Sequence, residues 1–139
     1  MKFNRQQIES SLKEFLKVRS EILFAYVFGS FAGGKDFQDI DVGIYISDLT
    51  SIGDSFDFAF QMSGDLERML GCSVDVIVLN TAPDHLIHSV SNGILILNRD
   101  DDVRVTFLSS SWSRYFDIRV KREAYLQAIA GEQSSYEPT

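Results

Sequence analysis

The stretch Val27-Phe28-Gly29-Ser30-Phe31-Ala32-Gly33-Gly34, followed by Asp39-Ile40-Asp41-Val42, decides the fold of this 139-residue chain. The apolar run Ile22–Phe28 is typical of a buried strand, and Gly29-Ser30 ends that run in a tight turn. Residues 40–46 predict the next strand. Its even-numbered residues are apolar and should face the core, whereas its odd-numbered residues face the other way, because strand side chains alternate.

The rest of the chain alternates between helical and strand patterns. Apolar residues at helical spacing predict four helices, which cover about residues 5–19, 56–70, 81–91 and 101–130. Two more strands are predicted, over residues 74–79 and 94–97. This order predicts an α/β fold, with a small mixed β-sheet flanked by helices and a long C-terminal helix that ends at Gly131. We expect one domain over residues 1–131 and a disordered tail over residues 132–139.

Composition narrows the class of protein. With 45% hydrophobic residues the chain can bury a core without cross-links, and Cys72, as the only cysteine, leaves no internal disulfide. No apolar run approaches the roughly 20 residues of a membrane span, and the N-terminus lacks the apolar run of a signal peptide. We therefore expect a reduced, cytoplasmic setting.

Charge is distributed unevenly along the chain. The net charge of −7 argues against general nucleic-acid binding and suits a protein that gathers divalent cations or meets a basic partner. Eight acidic residues lie within 36–67, with basic residues only at the flanking positions 35 and 68. Residues 104–122 instead hold five basic residues and one acidic residue. This distribution predicts an acidic half and a basic C-terminal arm.

Asp39 and Asp41 are two residues apart at the start of a predicted strand, so both carboxylates project from the same face. Two like charges this close repel unless a cation lies between them. Mg²⁺ prefers one or two protein carboxylates together with waters and phosphate oxygens. By itself an Asp-x-Asp pair is more often a turn or cap pair, and the Gly29-Ser30 turn before it favours a metal–phosphate site.

Asp75 is a charged residue in an otherwise apolar predicted strand. An unpaired buried carboxylate is costly, so a lone aspartate here needs either a function or an edge position. If its strand lies beside that of Asp41, Asp75 completes a carboxylate triad. It would then act as a general base toward an attacking hydroxyl or as a further metal ligand.

Gly29 and Ser30 suit phosphate binding. Glycine lets the backbone approach a ligand closely, and Ser30 offers a hydroxyl and an N–H group to a phosphate oxygen. The stretch is not a Walker A loop, because no Gly-Lys-Ser/Thr sequence follows it.

Strand, Gly-Ser, a glycine four residues after the serine, and Asp-x-Asp occur together, in this order, in the DNA polymerase β-like nucleotidyltransferase superfamily. Within it, the chain resembles the minimal nucleotidyltransferase (MNT) antitoxins of HEPN/MNT toxin–antitoxin pairs. The resemblance covers roughly residues 20–125 and includes 74–80, 91–96 and 115–119. Here eight residues separate Ser30 from Asp39, where many members have ten.

The resemblance implies an adenylyltransferase that uses ATP and Mg²⁺ to place AMP on a tyrosine of a partner HEPN ribonuclease toxin. Gly29 and Ser30 would hold the triphosphate. Asp39, Asp41 and Asp75 would bind the metal, and Asp75 would also activate the tyrosine. The implied assembly is a hetero-oligomer with the toxin, with no membrane or direct nucleic-acid contact. Two alternatives remain open: an antitoxin that only occludes the toxin, and a nucleotidyltransferase for a small molecule.

Several aromatic and histidine side chains have weaker functional interpretations. His85 and His88 are three residues apart on a helix, and an ordinary helix face is favoured over a metal pair. Core packing is favoured for the aromatic residues near the basic arm, which are Trp112, Tyr115 and Phe116. The residues of the second predicted helix favoured for core or subunit contact are Phe56, Phe58 and Phe60.

Overall fold

A four-stranded mixed sheet forms the centre of the computed structural model, which describes residues 4–34 and 39–135. Its strands are β1 (Ile22–Phe28), β2 (Asp39–Ile46), β3 (Ser73–Val78) and β4 (Ile94–Asn98). The spatial order is β3-β2-β1-β4. Strand β1 is antiparallel to both β2 and β4, whereas β2 and β3 are parallel. The predicted α/β fold with a small mixed sheet is therefore confirmed.

Five helices flank the sheet among the described residues. They are α1 (Arg5–Lys17), α2 (Gly29–Ala32), α3 (Ser55–Leu70), α4 (Asp84–Ser91) and α5 (Asp101–Ser135). Local sequence explains several of their ends. The Asn4 side chain accepts a hydrogen bond from the Gln7 backbone N–H at 2.8 Å, and the Gln7 side chain accepts one from the Asn4 backbone N–H at 2.9 Å. Helix α1 therefore begins with a capping box. Gly71, with φ of +71°, ends α3.

The prediction that Gly131 ends the last helix is wrong. Helix α5 continues through Gly131 to Ser135, because glycine lowers helix stability by only about 1 kcal/mol and keeps its backbone donor. Residues 132–135 of the predicted disordered tail are therefore helical. The rest of that tail, residues 136–139, lies outside the described residues, so a domain division at residue 131 stays a prediction.

One face of the sheet packs on α1 and α3. The even-numbered residues Ile40, Val42 and Ile44 of β2 are fully buried there, as the alternation predicts. The other face lies against α4 and α5. Gly43 makes the contact with α4 close, because a Cβ atom at Gly43 would lie 3.2 Å from Cγ1 of Val90. Both faces are covered, which explains why strands β1 and β2 are apolar almost throughout.

Strand β3 is an edge strand, and α3 covers part of its free backbone. The Ser63 hydroxyl accepts from the Val76 N–H at 3.0 Å, and the Glu67 carboxylate accepts from the Val74 N–H at 3.1 Å. These bonds occupy donors that would otherwise be open to pairing with a strand of another chain. None of the described helices is both long and apolar enough to span a membrane.

The first half of α5 is fastened to α4 by polar contacts. Asp84 accepts two hydrogen bonds from Arg114, each at 3.0 Å, and one from the Ser111 hydroxyl at 2.7 Å. The indole N–H of Trp112 donates to the Ser91 hydroxyl at 2.8 Å. Because Ser111 is fully buried, this junction is part of the packed body and fixes the direction of α5.

We expect Asp84→Asn to lower the free energy of unfolding by about 1–2 kcal/mol at pH 7, since it removes charge-assisted bonds. Arg114 holds the pKa of the Asp84 carboxyl below its ordinary value of 3.8. A lowered folded pKa gives stability that is present above the ordinary value and is lost as the pH falls through the folded pKa. Thermal unfolding should show a difference in the free energy of unfolding between the two proteins that is constant from pH 7 to 5 and narrows below about pH 4. A difference independent of pH would contradict this origin.

Candidate active site

The end of β1 and the starts of β2 and β3 meet at one edge of the sheet. The strand register places Phe28 opposite Asp41, and Asp41 opposite Asp75. Asp41 therefore lies between the Gly29 turn on one side and Asp75 on the other. Asp39 begins β2 two residues earlier, on the same face as Asp41. The fold thus brings together the residues that the sequence singled out at distant positions.

Gly29 is required here by a close approach. Its φ is +77°, and a Cβ atom on it would lie 2.3 Å from Oδ2 of Asp41. Any other residue would have to displace the Asp41 carboxylate and would also adopt an unfavourable positive φ. The sequence suggested that Gly29 leaves room for a ligand, and the structure shows that it also leaves room for the central aspartate.

The turn after Gly29 forms the one-turn helix α2. Phe31 is fully buried and anchors this helix to the core, whereas Ser30 is exposed. The Gly33 N–H donates to the Gly29 carbonyl at 3.1 Å, which closes the turn. Within the described part of the chain, no side chain caps the start of this helix. Its first backbone N–H groups and the Ser30 hydroxyl are thus available to an anionic group.

The electrostatics of the cluster centre on Asp41. Burial raises its pKa, and the nearby charges of Asp75 and Asp39 raise it further. Asp41 is half-buried, whereas Asp39 and Asp75 are exposed. Within residues 4–34 and 39–135, none of these three carboxylates forms a hydrogen bond or an ion pair, so no described cation offsets their charge.

These residues fit a divalent cation that also has phosphate ligands. Among the described residues, no three Asp, Glu, His or Cys side chains are gathered closely enough to hold a metal alone. Mg²⁺ needs only one or two protein carboxylates when phosphate and water complete its shell. A concentrated negative charge with open coordination, beside a turn that exposes N–H groups, suits a metal-bound triphosphate better than a closed structural metal site.

Gly93 lies in the turn between α4 and β4 and packs closely against the end of β1, next to Gly29. A Cβ atom on Gly93 would lie 2.2 Å from the Val27 carbonyl oxygen and 3.0 Å from Cα of Phe28. The turn between α4 and β4 therefore presses against the backbone that leads into Gly29. An Asn-Gly pair such as Asn92-Gly93 is typical of a turn, but the contact of Gly93 with β1 depends on the antiparallel pairing of β1 with β4.

The other candidate residues lie away from the carboxylates. The His88 ring stacks on Tyr115 with centroids 4.4 Å apart and lies 4.4 Å from Trp112, so it packs at the α4–α5 junction. This supports packing for Trp112 and Tyr115, whereas Phe116 is 41% exposed. Phe56 and Phe60 are 88% and 80% exposed and are therefore not core residues. Both lie away from the face of α3 that packs on the sheet.

One family model matches most of the chain. The family model described as "Polymerase beta, Nucleotidyltransferase" matches residues 10–102, a range that includes Gly29, Ser30 and the three aspartates. No curated protein sequence matches the chain.

Solved structures share the fold at low sequence identity. An MNT antitoxin complex with a tri-AMPylated HEPN toxin of Shewanella oneidensis gives a TM-score of 0.70 at 20% identity, over 91% of this chain and 99% of that chain. A toxin–antitoxin structure with AMP-PNP gives 0.69 at 21% identity, over 92% and 99%. The MntA–HepT toxin–antitoxin pair gives 0.67 at 20% identity, over 90% and 98%. At these identities the likeness shows the fold, and its coverage takes in almost the whole chain.

Proposed function

The chain belongs to the polymerase beta nucleotidyltransferase family, and from this premise we propose that it is an antitoxin that transfers AMP from ATP to a tyrosine of a HEPN toxin. The observation that carries the proposal is the position of Asp41 between the Gly29 turn and Asp75. Structures of the same fold support the choice of acceptor, since one contains a tri-AMPylated HEPN toxin and another contains AMP-PNP.

The binding roles follow from the exposed groups. The N–H groups of the α2 turn and the Ser30 hydroxyl would hold phosphate oxygens of ATP. Asp39 and Asp41 would hold Mg²⁺, with phosphate and water completing its shell, and Asp75 would stay free to act as a base. When bound, the metal supplies positive charge to the reacting phosphate and the leaving pyrophosphate. Gly29 keeps Asp41 close to the turn, so that the triphosphate and the carboxylates face the same space.

The chemical step moves one nucleotidyl group. The tyrosine oxygen forms a bond to the α-phosphorus of ATP while the bond from that phosphorus to pyrophosphate breaks. The proton of the tyrosine hydroxyl passes to the Asp75 carboxylate, which is exposed and therefore open to an acceptor arriving from solvent. The contribution of the protein is mainly to position the two reactants.

The test follows two labels. The protein is incubated with MgCl₂, a HEPN toxin as the candidate partner, and ATP labelled at either the α- or the γ-phosphate. We expect the α-label on the partner, no γ-label, and loss of the α-label when the acceptor tyrosine is changed to phenylalanine. Neutralisation of the partner with no label, retained in Asp39→Ala/Asp41→Ala, would mean that the antitoxin acts by occlusion. Label on a small molecule instead would show that the protein is a small-molecule nucleotidyltransferase.

A further inference from the structure

Helix α5 is much longer than the body of the protein requires. Its 35 residues span roughly 52 Å at 1.5 Å per residue. The first half packs on the sheet and α4, whereas the side chains of residues 118–131 are largely exposed, including Ile118 (64%) and Tyr125 (66%). Most helices in proteins are stabilised by packing of an apolar face, so exposed apolar residues along the unpacked part of α5 point to a binding role.

The exposed residues continue a face that is buried nearer the body. Leu108, Ser111 and Tyr115 point inward. Leu108 packs against a buried cluster that includes Phe24 and Tyr26, Ser111 is fully buried, and Tyr115 stacks on His88. These positions alternate in spacing between three and four residues, which keeps them on one helix face. The same spacing continues without interruption through four residues that we call the distal stripe: Ile118, Arg122, Tyr125 and Ile129.

The spacing of the distal stripe indicates the shape of its partner. Alternating steps of three and four residues form the seam on which a second helix lies lengthwise. The near end of the stripe opens into a groove of about 680 Å³ between α5 and the first turn of α4, where Pro83 and His85 face Ile118 and Arg122. A helix laid along the stripe would thus end against the body of the protein.

Charge argues against a second copy of this chain as that partner. Arg122 lies within the stripe, and Arg119 and Lys121 lie on its two flanks. In a parallel pair, or an antiparallel pair centred on Arg122, the two Arg122 side chains would meet in a desolvated layer. Such a like-charge contact opposes pairing.

We propose that the distal stripe binds an amphipathic helix of another protein, one with apolar residues at the same spacing and carboxylates that face Arg122 and the flanking bases. This goes beyond nucleotidyl transfer, because binding through the stripe needs neither ATP nor the carboxylate cluster. Opposite charges select the partner and fix its register, while the apolar residues supply contact area.

The test uses two synthetic helical peptides that share leucine and isoleucine at the seam. One carries glutamate at the flanking positions and the other carries lysine. Fluorescence anisotropy with the full chain should show binding of the glutamate peptide that weakens as salt rises, and affinity for the lysine peptide at least about tenfold lower. In Arg122→Glu this preference should be reduced or reversed.

Helix α5 offers a matched pair of control substitutions. Ile118 and Val120 are 64% and 63% exposed, but Val120 lies on the opposite face of the helix. Ile118→Asp should weaken binding of the glutamate peptide by at least about tenfold, whereas Val120→Asp should leave it unchanged. Equal losses in the two variants, or equal affinity for the two peptides, would overturn the proposal. A dimer in sedimentation that Ile118→Asp abolishes would assign the stripe to a second copy.

Discussion

Asp41→Asn is expected to lower the rate of AMP transfer by on the order of 10³-fold while the protein stays folded. Asp41 lies between the Gly29 turn and Asp75, and its carboxylate is the one closest to the backbone that would carry the triphosphate. An asparagine has nearly the same shape, so the turn keeps its conformation. Asparagine loses the negative charge that would hold the metal ion, and the metal ion in turn would hold the phosphates of ATP. Correct positioning of the reactants cannot replace that charge.

The same substitution should raise the melting temperature in metal-free buffer. The pKa of Asp41 is raised in the folded protein by burial and by the charges of Asp75 and Asp39. A raised folded pKa means that folding favours the protonated form, so stability is lost as the pH rises through that pKa. Asparagine removes this loss. Thermal unfolding in EDTA should therefore show Asp41→Asn above the parent protein at pH 7 and level with it below about pH 3.5.

Asp57→Asn is the matched control for both measurements. It makes the same chemical change at an exposed position in the first turn of α3, away from the cluster. It should leave transfer unchanged. It should not raise the melting temperature, because the negative charge of Asp57 stabilises the N-terminus of that helix. Transfer by Asp41→Asn at more than about a tenth of the parent rate would refute the role of Asp41 in holding the metal ion, since that role depends on the negative charge of its carboxylate.

Residue patterns were sufficient to predict most of the fold. The alternation in β2 placed Ile40, Val42 and Ile44 on the buried face, because a strand with one register has only two faces to offer. The start of α1 is set by a similarly local feature, the capping pair Asn4 and Gln7. These features depend on the chain within a few residues, which is why they could be predicted without tertiary information.

Features that depend on distant contacts could not be predicted. Nothing local in Phe56 and Phe60 distinguishes an exposed aromatic residue from a buried one, and the side of α3 that meets the sheet decides the matter. The continuation of α5 through Gly131 likewise reflects the cooperativity of a long helix rather than the propensity of one residue. The sheet order β3-β2-β1-β4 also required the structure, because sequence alone does not state which strands are neighbours.

The candidate site shows the same division. The residue types at Gly29, Asp39, Asp41 and Asp75 indicated phosphate and metal chemistry, but only as separate features. The parallel pairing of β2 with β3 sets Asp75 beside Asp41, and the antiparallel pairing of β1 with β2 sets Gly29 beside it. The contact between Gly93 and the end of β1 had no local signal of its own. Pairing between strands therefore turns a list of residues into a site.

Gly29→Ala is expected to lower transfer by at least about 10²-fold, because a small misplacement of reacting groups is costly. The substitution combines two effects. Alanine at a φ of +77° is strained by about 1–2 kcal/mol. Its Cβ would also overlap Oδ2 of Asp41, so the carboxylate must rotate away from the turn. The second effect is the one that should reduce activity, because it separates Asp41 from the backbone that would hold the phosphates.

Gly53→Ala separates the two effects. Gly53 has a φ of +71°, but a Cβ atom there would meet nothing within 4 Å, and the residue lies in the loop before α3. It should therefore lose about the same stability as Gly29→Ala and keep full activity. Transfer rates and melting temperatures of the two variants decide the matter. If both lose activity in proportion to stability, backbone strain alone is responsible, and Gly29 has no specific role in placing Asp41.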